Sequence, residues 1–131
     1  MSNVEALVPK NKFDESTIEE LQKLNDHEIT PILLPLLEWI RDINWPVAQK
    51  IVPILAKHQV AVTPFIIELL KPEQTDEIWK YWIIAELLGL FQSENLQPVL
   101  PSLQRIAEHP TENERDEEVD VAARKVLRTC F

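Results

Sequence analysis

A chain with one glycine and ten prolines has few ways to turn sharply and many places where a helix must start or stop. The glycine is Gly89. Hairpins between adjacent strands draw on residues at positive φ, which glycine tolerates best, so a multi-stranded sheet fits this chain poorly. Proline instead suits the first turn of a helix, where its missing N–H would have had no partner. Thr30-Pro31, Trp45-Pro46 and Thr63-Pro64 all carry that start signal. The fold class predicted is all-α, with about seven helices bounded by such signals.

The stretch from Trp39 to Ala48 states the plan in miniature. An apolar helix from Pro31 to about Arg41 carries Leu33, Leu36, Leu37 and Ile40, the corner Asp42–Trp45 breaks it, and Pro46 starts the next helix. Before it come a leader, with Leu7, Val8 and Phe13 expected to dock on the body, and an amphipathic helix capped by Asp14, with Ile18, Leu21 and Leu24 on one side. Asp26 is expected to cap a short turn. The helix from Pro46 carries Pro53 inside it, which predicts a kink or break, and His58-Gln59 reads as an exit loop before a new helix at Thr63-Pro64. Asp76 caps a helix from Glu77 to about Phe91. It is apolar on nearly every side, which predicts a central position. Ser93 or Asn95 is expected to cap the helix that ends near Glu108. Thr111 and Glu114 form a capping box that opens a last helix running to about Arg128. Acids at its start (Glu112, Glu114, Asp116, Glu117, Glu118) and bases at its end complement the helix macrodipole.

Pro31, Pro64 and Pro98 recur at intervals of about 34 residues, a period typical of stacked helical hairpins. Ala48, Ala85 and Ala122 recur at equal intervals in the helices that follow, where a small residue lets neighbouring helices approach closely. Such repeats predict a short right-handed α-α superhelix. The domain expected is a single one over residues 1–131: a leader and N-terminal capping helix at 1–30, then helical-hairpin repeats at 31–62, 63–95 and 96–131. Asp120-Val121-Ala122-Ala123-Arg124-Lys125-Val126-Leu127 resembles the second helix of a HEAT repeat, so the hairpins are expected to be HEAT-like or ARM-like. The whole chain is similar to a family of short, uncharacterised bacterial all-helical proteins. The similarity rests on Leu7–Lys10, Phe13-Asp14, Leu36–Trp39, Asp42, Asn44–Ala48 and Trp79–Trp82. It covers nearly the full chain and carries no activity with it.

The net charge of −9 disfavours binding to phosphate backbones. No apolar run reaches the ~18 residues of a membrane-spanning helix, and the start Met1-Ser2-Asn3-Val4-Glu5 lacks the basic, apolar form of a signal peptide. With a lone cysteine, Cys130, these features predict a cytoplasmic protein that uses neither membrane nor nucleic acid. His27, His58 and His109 form no helical ligand pair and are expected at helix ends, capping or solvated. One glycine cannot build a phosphate loop or a nucleophile elbow. Cys130 lies on an apolar stripe and is expected to pack. No catalytic residue, metal or cofactor is therefore expected.

What is left is aromatic. Trp39, Trp45, Trp79 and Trp82 either fill the core between hairpins or line a partner-binding groove, with Asp42, Asn44 and Lys80 at its rim; Lys80 could instead pair with Asp42. The function expected is a non-catalytic protein-interaction module that takes a protein or peptide. An acidic inhibitor or immunity-type protein neutralising a basic enzyme is the first alternative. An enzyme akin to the HEAT-like DNA glycosylases is the second, and the acidity opposes it.

Overall fold

The computed structural model describes residues 4–131, and among them every regular element is a helix. Met1, Ser2 and Asn3 of the expected leader lie outside the described residues. After a 3-10 turn at Val4–Leu7, eight helical runs follow. They are α1 (Ile18–Gln22), α2 (26–38), α3 (Pro46–Lys57), α4 (Gln59–Leu69), α5 (77–90), α6 (93–108), α7 (Glu112–Asp116) and α8 (Val119–Cys130). Two compact units divide the chain, the first ending at Val62 and the second being Thr63–Phe131. The boundary falls inside α4. No single helix among the described residues is long and apolar enough to cross a membrane.

In the first unit α3 packs on α1 and α2. Its core holds Leu21, Ile29, Leu33, Leu36, Leu37, Val47, Ile51 and Leu55, each completely buried. The leader is tied down through its own carbonyls. The Thr17 hydroxyl donates to the Leu7 carbonyl at 2.5 Å, the Trp39 indole N–H to that of Pro9 at 3.0 Å, and the Val47 N–H to that of Lys12 at 3.0 Å. The last of these satisfies a donor in the first turn of α3 that has no partner inside its helix. Leu7 and Val8 are half-buried as expected, but Phe13 is 67% exposed, with the Lys12 ammonium over its ring.

The prolines play two different parts. Pro31 and Pro98 are each the middle residue of a 3-10 turn, Thr30–Ile32 and Gln97–Val99, inside a continuous helical run. An α-helical turn precedes each, at Asp26–Ile29 and Ser93–Leu96, and a longer helix follows. The helix expected to start at Pro31 therefore starts at Asp26. Its cap is Asn25, in a reciprocal box with Glu28, rather than Asp26. Pro53 and Pro64 sit within α3 and α4, which run through them unbroken. Both prolines are exposed, as are Gln49 and Val60 four residues earlier, so the carbonyls they leave without a donor lie on the wet side. An interior proline costs about 3 kcal/mol, whereas each fully buried Ile or Leu of α3 returns roughly 1.5–3 kcal/mol, so burial decides. Hence the break expected at Pro53 is missing, and α4 begins at Gln59 rather than at Pro64.

In the second unit α5 and α6 pack against α8. From Trp79 onward the buried residues of α5 come in pairs four apart: Trp79-Lys80, Ile83-Ile84, Leu87-Leu88. An α-helix turns about 100° per residue, so a four-residue pattern drifts by about 40° at each repeat. A π-helical turn at Ile83–Leu87 widens the helix and absorbs that drift, and a 3-10 turn at Leu88–Leu90 closes it. Ala85, expected to match the buried Ala48 and Ala122, is carried to the outer side and is exposed. The N-cap expected at Ser93 or Asn95 is instead Gln92, which makes no side-chain capping bond to the helix; the Ser93 hydroxyl donates to the Cys130 carbonyl at 2.8 Å. The single last helix is two, α7 and α8, because Glu118 adopts the left-handed conformation at φ 61°.

Gly89 supports none of this geometry. Its φ is not positive, and a Cβ added to it would meet nothing within 4 Å. Gly89→Ala is expected to raise stability by roughly 0.4–1 kcal/mol through the unfolded chain's lost freedom, read from urea midpoints.

Candidate functional site

On α5, Ile78, Tyr81 and Trp82 are three and four residues apart and share the outer face. Ile78 is 52% exposed, and Tyr81 and Trp82 are half-buried, with ring centroids 5.1 Å apart in an edge-to-face arrangement. With Glu117 and Glu118 from the α7–α8 corner they line a cleft of about 200 Å³. A second cleft of about 330 Å³ adjoins it, sharing Ile78 and Glu117 and extending to Thr75, Asp76 and Glu77. The Glu117 and Glu118 side chains have no ion-pair or hydrogen-bond partner among the described residues. The floor is therefore aromatic and the rim carries free negative charge.

Beneath the cleft lies the polar framework that fixes it. Lys80 is 1% exposed, and its Nζ donates to Glu114 Oε2 at 2.9 Å and to the Lys71 carbonyl at 3.0 Å, with Glu77 Oε1 at 3.4 Å. Arg105 grips the same Glu114 with both guanidinium nitrogens, at 2.5 and 3.0 Å, and donates to the Leu70 carbonyl at 2.7 Å. The Thr111 N–H donates to Glu114 at 2.9 Å, completing the expected capping box with the Thr111 hydroxyl. Burial by itself raises the Glu114 pKa, but Arg105, the Thr111 N–H and Lys80 outweigh it and hold the group at about 2. So Glu114 is a buried ion rather than a surface complement to the helix dipole. Two acids against two bases leave the cluster neutral.

The residues proposed from sequence for a groove fall in both units. In the first unit Trp39 and Trp45 are half-buried and meet edge-to-face at 5.7 Å, while Asp42 folds back to accept the Asn44 N–H at 2.9 Å. In the second unit Trp79 is buried and Trp82 lines the cleft. Lys80 is at no rim: the Asp42 partner considered for it gives way to Glu114. Sequence reasoning missed Ile78, Glu117 and Glu118, and had Tyr81 only as one of the aromatic run Trp79–Trp82. The Ile78–Tyr81–Trp82 spacing was a usable signal, masked because the whole helix is apolar. The corner at Glu117-Glu118 had no signal, since nothing local marks a glutamate for positive φ.

The first unit has its own cleft, of about 600 Å³, lined by Lys23, Leu24, Asn25, Asp26, His27, Lys57 and His58. His27 and His109 are exposed, but His58, expected to cap or be solvated, is buried; its Nδ1 bonds the Asp26 carboxylate. Its Nε2 is enclosed and makes no hydrogen bond among the described residues. Lys57 donates to the Gln22 carbonyl at 2.6 Å. Among the described residues no group of His, Cys, Asp and Glu side chains is placed to hold a metal ion.

The Glu114 pKa sets a pH dependence. Its folded value lies below its ordinary 4.5, so its contribution is fully present above pH 4.5 and is lost as pH falls from there towards 2. Glu114→Gln, which leaves Arg105 without a carboxylate and Lys80 with Glu77 alone, is expected to cost about 3–5 kcal/mol at neutral pH. It should also flatten the acid limb of stability against pH, measured by urea unfolding between pH 2 and 7.

No curated protein matches the chain. A family described as a domain of unknown function, DUF5071, matches residues 7–127. That span takes in the leader carbonyls, the Trp39–Trp45 corner, the Lys80–Glu114 framework and the aromatic cleft. The chain belongs to the DUF5071 family.

Proposed function

We propose that this chain is a cytoplasmic, non-catalytic protein-interaction module of HEAT-like hairpins, of the bacterial type its sequence resembles, and that it receives its partner on the outer face of α5. The observation that carries this reading is the cleft of Ile78, Tyr81 and Trp82, where apolar side chains stay partly in water although α5 has a buried side available. Aromatic side chains of this kind anchor interfaces because one end packs and the other stays wet. At about 200 Å³ the cleft is smaller than the ~300 Å³ at which small-molecule pockets begin, and it suits one inserted side chain. The packing of α6 on α8 supports the hairpin reading. The alternative of a DNA-processing enzyme gains no support from Lys80, the cation among the aromatics, because it pairs with Glu114 and Glu77.

Selection of random linear peptides displayed on phage against the full chain tests the reading. Binders are expected whose affinity falls about tenfold, or 1.4 kcal/mol, in Trp82→Ala and holds in Trp39→Ala. An empty selection, or binders indifferent to Trp82, would overturn it.

A further inference from the structure

The chemistry of the cleft narrows the partner. Its floor presents indole and phenol rings, whose faces attract cations. Its rim presents Glu117 and Glu118, neither of which has an ion-pair partner among the described residues. Of the bases around this corner, Lys80 and Arg105 are consumed by Glu114, and the exposed Arg115 of α7 forms no ion pair with either rim glutamate. The chain as a whole carries −9, which steers a basic partner towards it and repels an acidic one. A guanidinium satisfies both parts of the cleft at once. It stacks flat on an aromatic ring and offers paired N–H groups to a carboxylate, which an ammonium does less well. Glu118 is also the one described non-glycine residue at positive φ. This backbone would cost less with glycine or asparagine there, and the carboxylate at the rim is what such a replacement would forfeit.

We infer that the cleft of Ile78, Tyr81, Trp82, Glu117 and Glu118 takes an arginine side chain presented by a basic segment of a partner protein. This rests on the interaction reading above and gives it a chemical class. The partner is recognised by one inserted cation, with the apolar stripe of α5 beside it.

The test is calorimetric titration of the full chain with a short acetylated arginine peptide amide and with its citrulline twin, which keeps the shape and removes the charge. The arginine peptide is expected to bind and the citrulline peptide to bind at least about tenfold more weakly. Glu117→Gln with Glu118→Gln should erase that difference, and Glu117→Gln alone should reduce it, should the pair disturb the corner. Glu19→Gln with Glu20→Gln removes the same charge from the exposed face of α1 and should leave binding unchanged. An equal loss in both double variants would overturn the inference in favour of diffuse attraction. If citrulline binds as well as arginine and both need Trp82, the cation inference fails and the interaction reading stands. If neither peptide binds the wild-type chain, the inference fails, and the peptide selection described above judges the wider reading separately.

Discussion

Taking a carboxylate wholly out of water costs several kcal/mol, and a buried ion pair seldom does more than recover that cost. The second unit accepts the cost at Glu114 and recovers more than energy from it. The one side chain is held by Arg105 of α6, Lys80 of α5 and the Thr111 N–H that opens α7. Arg105 and Lys80 in turn hold the carbonyls of Leu70 and Lys71, where the chain leaves α4. Apolar contacts tolerate sliding, whereas a fork of charged hydrogen bonds has one geometry. The cluster thus fixes where α7 begins and, through the corner at Glu117-Glu118, where the rim of the aromatic cleft stands. Unsatisfied, it would be worse than an all-apolar core; satisfied, it selects one arrangement.

Much of the fold is legible from residue order. Scarce glycine and abundant proline exclude sheet and announce helices. The Thr111–Glu114 box, the Asp76 cap and the Trp45-Pro46 start are local signals whose partners lie within a few residues, and all three are found. Pro53 and Pro64 mislead because a proline's effect depends on which side of the helix it faces, and that is set by tertiary burial. Glu118 misleads for a similar reason. A left-handed glutamate is unfavourable locally and stands only because α7 and α8 are each anchored elsewhere.

The site was harder to read than the fold. Trp79 and Trp82 look equivalent in sequence, yet one is core and the other lines a cleft, because Trp79 belongs to the series Trp79, Ile83, Leu87 that is buried and Trp82 lies beside it on the helix. Lys80 looked like a rim cation among aromatics. Its true partner is Glu114, 34 residues away, and no local pattern encodes a pairing at that range. His58 is another case: its partner Asp26 lies 32 residues before it, so its burial could not be read from its neighbours.

The leader shows how a segment can be specified without being spelled out. Thr17, Trp39 and Val47 reach for the carbonyls of Leu7, Pro9 and Lys12, groups that every amino acid possesses. The docking therefore reads the path of the backbone and is nearly blind to the side chains along it. Pro9 keeps that path, since its ring fixes φ and it is buried. Lys10 and Phe13 project outward, where drift can alter the charge and character of this surface while the strap beneath them stays in place.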